Sequence, residues 1–270
     1  MGLSTLKGNS GYIGIDKRSS VTGTTIGNIS LKKLYLERVG GNLVPIIPPG
    51  PSTILFEDDF SGNNLNKWTV ENGAQSSVWI VGSNVNASTG GAVTIPSGST
   101  YSSYISSNGS SNVYSTNSRT HIYFDFDIPE DTVSLTLEFD WLCFGERSSS
   151  GFLNYDFGYL TFADPTTFTP SAGVLYGEDG TGYERIVGSN TADNLDSGRF
   201  TGDGTSARSS NTAKNSFVYE NITLDSTEIS TGSLWCDNCT RRIVFSWVSD
   251  GSVQDDPSWT IANVKLSYNL

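Results

Sequence analysis

The sequence predicts an all-β chain: an antiparallel two-sheet jelly-roll sandwich preceded by a short N-terminal arm. Three observations predict it. Ser, Thr, Asn and Gly fill 117 of 270 positions and only 16% of residues are charged, which leaves few residues for long solvated helices and many for turns. Aromatics reach 11%, enough for a packed interior despite the polar bulk. Several runs alternate apolar with polar residues, the period of a half-buried strand.

Residues 1–44 read as the arm. Gly8, Gly11, Gly14, Gly23 and Gly27 divide it into short extended pieces. In LKKLYLERV, Leu31, Leu34, Tyr35 and Val39 share a helical face with Gly40 and Gly41 as a stop, while strand alternation fits the same letters. So few large apolar side chains build no core alone, so the arm is expected to need a partner surface, a copy of itself or the main domain. Residues 1–50 carry a charge of +4 and the rest −16, within a total of −12. That asymmetry fits a basic arm docked on an acidic protein surface and an acidic body facing solvent. The candidate anchoring residues are Lys7, Tyr12, Ile13, Lys17, Arg18, Leu34, Tyr35 and Arg38. Residues 45–51, PIIPPGP, form a semi-rigid Pro-rich linker.

Residues 52–270 read as one domain. Ile122, Phe124, Phe126 and Ile128 share one face of HIYFDFDI, opposite His121, Tyr123, Asp125 and Asp127. Leu135, Leu137, Phe139, Trp141 and Cys143 share a face of the next run, after a tight turn at Pro129-Glu130-Asp131. Ile243, Phe245 and Trp247 mark a further strand, and Ala262, Val264, Leu266 and Tyr268 alternate with Asn263, Lys265 and Ser267 in the last. Many such strands in this length mean a two-sheet sandwich. The Gly-, Asp-, Asn- and Ser-rich stretch 176–215 reads as long loops, where binding residues tend to sit.

Composition also excludes functions. No apolar run approaches the ~20 residues of a membrane-spanning helix, and the N-terminus lacks a signal-peptide core. Acidity disfavours nucleic acid as a partner of the body. The run Glu57-Asp58-Asp59-Phe60-Ser61-Gly62 comes nearest to the Glu-x-Asp-x-x-Glu of a sandwich glycosidase, but Gly62 holds the third position. His121, the only histidine, neighbours no triad-like arrangement. The expectation is a non-enzyme.

Cys236-Asp-Asn-Cys239 has zinc-knuckle spacing, and Cys143 with His121 would complete a Cys₃His set. Free thiols at a turn are the preferred reading, with a disulfide as the alternative. Calcium is the better metal candidate, because Ca²⁺ takes six to eight oxygens and strand ends can gather carboxylates. Its candidate ligands are Glu57, Asp58 and Asp59 at the first strand with Asn263 near the last, or the loop Asp255-Asp256. For glycans, aromatic faces beside planar polar groups are the requirement. Tyr155, Tyr159, Tyr176 and Tyr183 are the candidates, with Asn154, Asp156 and Arg185 close in sequence.

Two family resemblances add to this. FEDDFSG with NKWTVENG, SVWIVGS, HIYFDFDIPEDTVSLTLEFDWLCFGE, FGYLTFADPTTFTPSAG and RRIVFSWVSDGSVQDDPSWTIANVKLS, in that order, resemble jelly-roll domains of Bacteroidetes-type surface proteins, related in plan to MAM and carbohydrate-binding sandwiches. That resemblance implies an accessory, adhesive or glycan-binding module. The family's closing strand commonly reads Ile-Asp-Asn where this chain has Ile261-Ala262-Asn263, so an Asp that would ligate a cation in relatives is missing. The arm, GLSTLKGNSGYIGIDKR with KKLYLERVGGN, is similar to the beginnings of structural proteins of marine tailed phages. Together they imply a virion surface protein, a capsid decoration or head fibre, extracellular after host lysis. Its expected partners are other virion proteins through residues 1–44, a second copy of itself, and host or environmental glycans. A tail-fibre adhesin, a secreted carbohydrate-binding module and a divergent glycoside hydrolase are the alternatives.

Overall fold

The structure, a computed structural model, describes residues 52–96, 99–146, 155–177, 179–186, 198–202, 210, 212–225, 234–236, 238–252 and 254–270, together with the backbone of 3–8, 11–16, 24–26, 29–31, 35–39 and 42–46. It divides into two units, Met1–Pro51 and Ser52–Leu270. In the first, β1 (Leu3–Gly8) pairs with β2 (Gly11–Asp16), β3 (Thr24–Ile26) with β4 (Ile29–Leu31), and β5 (Tyr35–Val39) with β6 (Asn42–Ile46), all antiparallel. The ambiguous LKKLYLERV segment is therefore strand where described. Val39 pairs with Asn42 across Gly40-Gly41, a dipeptide suited to two-residue hairpin loops. Pro45 and Ile46, assigned above to the linker, belong to β6. Of the candidate anchors, Lys7, Tyr12, Ile13, Tyr35 and Arg38 place their backbones on these strands, while Lys17, Arg18 and Leu34 lie outside the described residues.

The second unit is the expected antiparallel two-sheet sandwich. Its strands are β7 (Thr53–Asp58), β8 (Thr69–Glu71), β9 (Val78–Gly82), β10 (Ser102–Ser106), β11 (Arg119–Ile128), β12 (Ser134–Leu142), β13 (Phe157–Ala163), β14 (Asp179–Gly180), β15 (Tyr183–Arg185), β16 (Val218–Asp225), β17 (Cys239–Val248) and β18 (Thr260–Asn269). The first sheet runs β16-β12-β18-β10-β9, with β7 also on β18; the second runs β14-β15-β13-β17-β11-β8. The predicted turn joins the sheets: β11 ends at Ile128 in one and β12 begins at Ser134 in the other. Asp131 takes a φ of 62° there, and the Thr132 hydroxyl donates to the Pro129 carbonyl at 2.7 Å.

The core lies between the sheets and is largely aromatic. Leu135, Leu137, Phe139 and Trp141 of β12 face Ile122, Phe124 and Phe126 of β11 and Ile243, Phe245 and Trp247 of β17, in one buried cluster. Trp68 sits edge-on to Phe56, Phe124 and Phe245 at 5.1–5.4 Å between ring centroids, the edge-to-face geometry that aromatic quadrupoles favour. Its indole N–H donates to Asp58 Oδ2 at 2.8 Å, so this large ring is buried without an orphan donor. Trp259 packs flat over Gly158, where an added Cβ would come within 2.1 Å of the indole; only glycine lets the ring lie on that strand.

One predicted strand is broken. Between β12 and β18 the register steps from Glu138↔Lys265 to Asp140↔Ala262, so β18 carries one extra residue, a β-bulge. Asn263 sits there with a φ of 51°, a left-handed conformation that Asn tolerates better than most residues. The bulge exchanges the two faces of the strand. Ile261 points into the core before it, and Val264 and Leu266 after it. Ala262, expected on the core face with Val264, instead pairs with the outward Asp140.

Candidate functional site

On the first sheet, the face away from the core is polar and open. β16 reads VYENITLD, with Ile222 and Leu224 buried and Asn221 and Thr223 exposed. Tyr219 has the parity of the exposed residues and is 56% exposed, the most open tyrosine among the described residues. Its neighbours follow from register. Asn221 pairs with Glu138 of β12, Glu138 with Lys265 of β18, and Lys265 with Glu57 of β7. One side chain from each of four adjacent strands thus stands in a straight row, and Asp140, paired with Tyr219, stands beside it.

The groups of this face hold each other in place. The Tyr219 hydroxyl donates to Glu138 Oε1, and Lys265 Nζ donates to Glu138 Oε2 at 3.0 Å. The Asn221 amide donates to the Tyr219 hydroxyl at 3.3 Å. The bulge turns Asn263 outward, where its amide donates to Asp140 Oδ2 at 2.8 Å. The Tyr219 bond and Lys265 hold the Glu138 carboxyl below its usual range, while burial raises that of Asp140. The same bond raises the Tyr219 phenol. At neutral pH the row therefore offers a carboxylate acceptor and an ammonium donor side by side.

At the β7 end the face opens into a cleft of about 330 Å³, lined by Glu57, Asp58, Asp59, Lys67, Asn263 and Lys265 with Val264 behind them. All four predicted calcium ligands thus come together. Their lone pairs, however, are partly committed. Asp58 accepts from the Phe60 N–H at 3.0 Å and from Trp68, and Asp59 accepts from the Ser61 N–H at 2.9 Å, the Ser61 side chain and then this N–H lowering its pKa. Lys67 Nζ donates to the Glu57 carbonyl at 2.7 Å and lies 3.9 Å from Asp58 Oδ1. Ammonium groups of Lys67 and Lys265 supply counter-charge in this cleft.

The tighter carboxylate set is elsewhere. One oxygen each of Glu146, Asp156 and Asp250 lies within 4.8 Å of the others, a group that could hold a divalent cation. Asp156 is buried, accepting from Tyr114 Oη at 2.5 Å and from the Asp250 N–H at 2.8 Å. Burial pushes its carboxyl up to about 7. The predicted loop Asp255-Asp256 adjoins it, with the Asp255 N–H donating to Tyr114 Oη at 2.9 Å and Asp256 accepting from the Tyr114 N–H at 3.2 Å. Two connections supply this set, Glu146 and Asp156 from the one between β12 and β13 and Asp250 from the one after β17, so no local motif could announce it.

The predicted glycan tyrosines fall on the opposite side of the molecule, and most are covered. Residues 164–177 fold over the outer face of the second sheet. Phe168 is buried there against Tyr123 and Val244, with Tyr176 and Tyr183 packed on it at 4.8 and 4.4 Å between centroids. Tyr159 is fully buried, its hydroxyl accepting from the Tyr176 N–H at 3.3 Å and its ring beneath the Arg185 guanidinium at 4.3 Å. Tyr155 stands apart, its N–H bonded to the Glu146 carbonyl at 2.9 Å. His121 is also buried under this cover, between Ser246 Oγ at 2.8 Å and the Ser171 carbonyl at 3.2 Å. Asn154 lies outside the described residues.

The zinc set does not assemble. Cys236 and Cys239 form a disulfide, not the free thiols expected. Cys239 pairs with Ile128, seven residues along β11 from His121, a separation of about 23 Å at strand rise. Cys143 is buried as a small core residue.

No protein-family model matches the chain, and no curated protein matches it. Among solved structures it is similar to the enzymatically active domain of bacteriophage CBA120 tailspike protein 4, with a TM-score of 0.40 and 11% identity over 78% of this chain and 20% of that one. The chain thus spans a fifth of that structure's length. It is similar to the K1 cleaved adhesin domain of Lys-gingipain from Porphyromonas gingivalis W83, with a TM-score of 0.40 and 12% identity over 79% and 98% of the two chains. It is also similar to a family 35 carbohydrate-binding module from Clostridium thermocellum, with a TM-score of 0.32 and 10% identity over 80% and 98%. At such scores these similarities say nothing of binding or catalysis here.

Proposed function

We propose that Ser52–Leu270 is a non-catalytic glycan-binding module displayed on an extracellular surface, with its site on the outer face of the first sheet. The observation that carries this reading is Tyr219. It is a large ring, more than half exposed, standing on a regular strand with its hydroxyl tied to Glu138 and Asn221. A ring fixed before contact loses little side-chain freedom on binding. The surrounding Glu138, Lys265 and Asn221 supply the few oriented polar groups a sugar needs beside an aromatic surface.

The same bonds support a binding role for the acids over a catalytic one. Glu138 and Asp140 share a face, as catalytic carboxylates must, but Tyr219, Lys265 and Asn263 already hold them. The Cys236–Cys239 disulfide fits an oxidising exterior.

In the fuller reading the module is a virion surface protein, a capsid decoration or head fibre, and residues 1–44 anchor it. The +4 arm, the Pro-rich spacer and the −16 body support that assignment. A tail-fibre adhesin or a secreted carbohydrate-binding module would use the same sheet face.

A glycan array and calorimetry on the intact chain test the site. Tyr219→Ala is expected to abolish binding at an unchanged melting temperature; binding that survives it places the site elsewhere. Release of reducing ends on long incubation with a bound glycan would refute the non-catalytic reading. Mass spectrometry of purified virions tests the display, and a chain lacking residues 1–44 that still loads onto particles would refute the anchor.

A further inference from the structure

We infer that the ligand of this face is an uncharged linear oligosaccharide laid across the strands, running from Tyr219 to the cleft beside β7. The inference rests on the Tyr219 site proposed above and adds the ligand's length, direction and charge.

Length and direction come from register. Asn221, Glu138, Lys265 and Glu57 pair directly across β16, β12, β18 and β7. Three strand spacings make about 14 Å, room for about three sugar rings end to end. One end of this row carries the exposed ring of Tyr219 and the other opens into the cleft. Between them Glu138 and Lys265 are bonded to each other. A single sugar would use one end only; a chain across the strands uses both.

Charge comes from counting what is engaged. Five carboxylates belong to the row and cleft: Glu57, Asp58, Asp59, Glu138 and Asp140. Two ammonium groups face them, Lys265 bonded to Glu138 and Lys67 bonded to the Glu57 backbone carbonyl and 3.9 Å from Asp58 Oδ1. A sulfate or uronate would meet a surplus of negative charge, five carboxylates against two lysines, at separations too short for salt to screen fully. Hydroxyl groups suit the same surface, because adjacent hydroxyls can donate to a carboxylate and accept from the neighbouring ammonium or amide.

The test uses the intact chain on an array holding each glycan backbone in neutral and in carboxylated or sulfated form. The best ligand is then titrated as a series from one to five rings. The expected result is a preference for neutral forms of about tenfold or more, with affinity rising to about three rings and flat beyond. Glu57→Ala is expected to weaken the three-ring ligand by about tenfold and leave the two-ring ligand unchanged. A preference for anionic forms, a plateau at one ring, or equal effects of Glu57→Ala at both lengths overturns this inference. If Tyr219→Ala still abolishes binding in those cases, the proposed site stands without it. Binding insensitive to Tyr219→Ala, or absent throughout, overturns both.

Discussion

The two sheets treat their outer faces in opposite ways. β12 alternates half-exposed and buried residues from Ser134 to Trp141, the signature of one wet face. β13 is buried at every position, and β17 from Arg241 onward, because residues 164–177 cover the second sheet. Both outer faces carry tyrosines. On the second sheet they are spent on packing a loop; on the first, Tyr219 is left in water. An aromatic on a strand's polar face thus marks a platform only when no other segment claims it.

The comparison breaks most sharply if the cover is removed. Arg242 donates to both Asp125 oxygens at 2.6 and 2.9 Å and to the Phe168 carbonyl at 3.0 Å, with its guanidinium 3.9 Å from the Tyr123 ring centre. Arg242→Ala is expected to cost about 3–4 kcal/mol, read by chemical denaturation, while glycan affinity stays unchanged. Loss of binding in a folded Arg242→Ala chain would mean that the covered face takes part.

Acid should find the same face next. Burial pushes His121 down to about 4. The unfolded chain therefore binds the proton more readily, so stability from the neutral ring is full above about pH 6.5 and lost as pH falls to about 4. The loss is of order 2–3 kcal/mol, and His121→Gln should flatten it. An unchanged slope in His121→Gln would assign acid sensitivity to other groups.

Asp156 belongs to neither face and has the opposite sign. Its carboxyl is raised to about 7 by burial, with Asp250 and Glu146 adding to the rise. Its stabilising contribution is full below the ordinary carboxylate value and lost as pH rises through about 7. Asp156→Asn is expected to raise stability at pH 8 by about 1–2 kcal/mol and by less at pH 5, where only part of the loss has been incurred. A melting temperature that falls at pH 8 would show that the charged carboxylate is needed there.

The smallest effect separates the faces most cleanly. Tyr219→Phe should move stability by no more than about 0.5 kcal/mol, since an exposed bond is lost. Tyr159→Phe removes a buried hydroxyl that accepts from the Tyr176 N–H at 3.3 Å and should cost about 1 kcal/mol. Equal costs would remove the distinction between a free and a packed tyrosine.

Period-two alternation made the core legible in β11, β12 and β17, because one buried face writes itself into every second residue. The site was half legible. Glu57, Asp58, Asp59 and Asn263 stand out in the sequence through their shared chemistry, as candidate calcium ligands, and the structure gathers them in the cleft of the proposed face. Tyr219 was missed, although its signal was present: it shares parity with Asn221 and Thr223, not with Ile222 and Leu224. Tyr159 and Tyr176 misled because covering by a loop depends on tertiary contacts. The Cys236–Cys239 bond was likewise open in sequence, where spacing alone decides nothing between thiol and disulfide.

Asn263 gives β18 two reading frames. Upstream of it the core is spelled by odd-numbered residues, Trp259 and Ile261; downstream by even-numbered ones, Val264, Leu266 and Tyr268. Deleting this one residue would leave a regular strand, with Ile261, Val264 and Leu266 still inward and Lys265 still opposite Glu138, because the bulge is what the change of parity accommodates. What the deletion would remove is the outward Asn263 amide that holds Asp140, so the polar row and the core keep their register while the acid beside the row loses its partner.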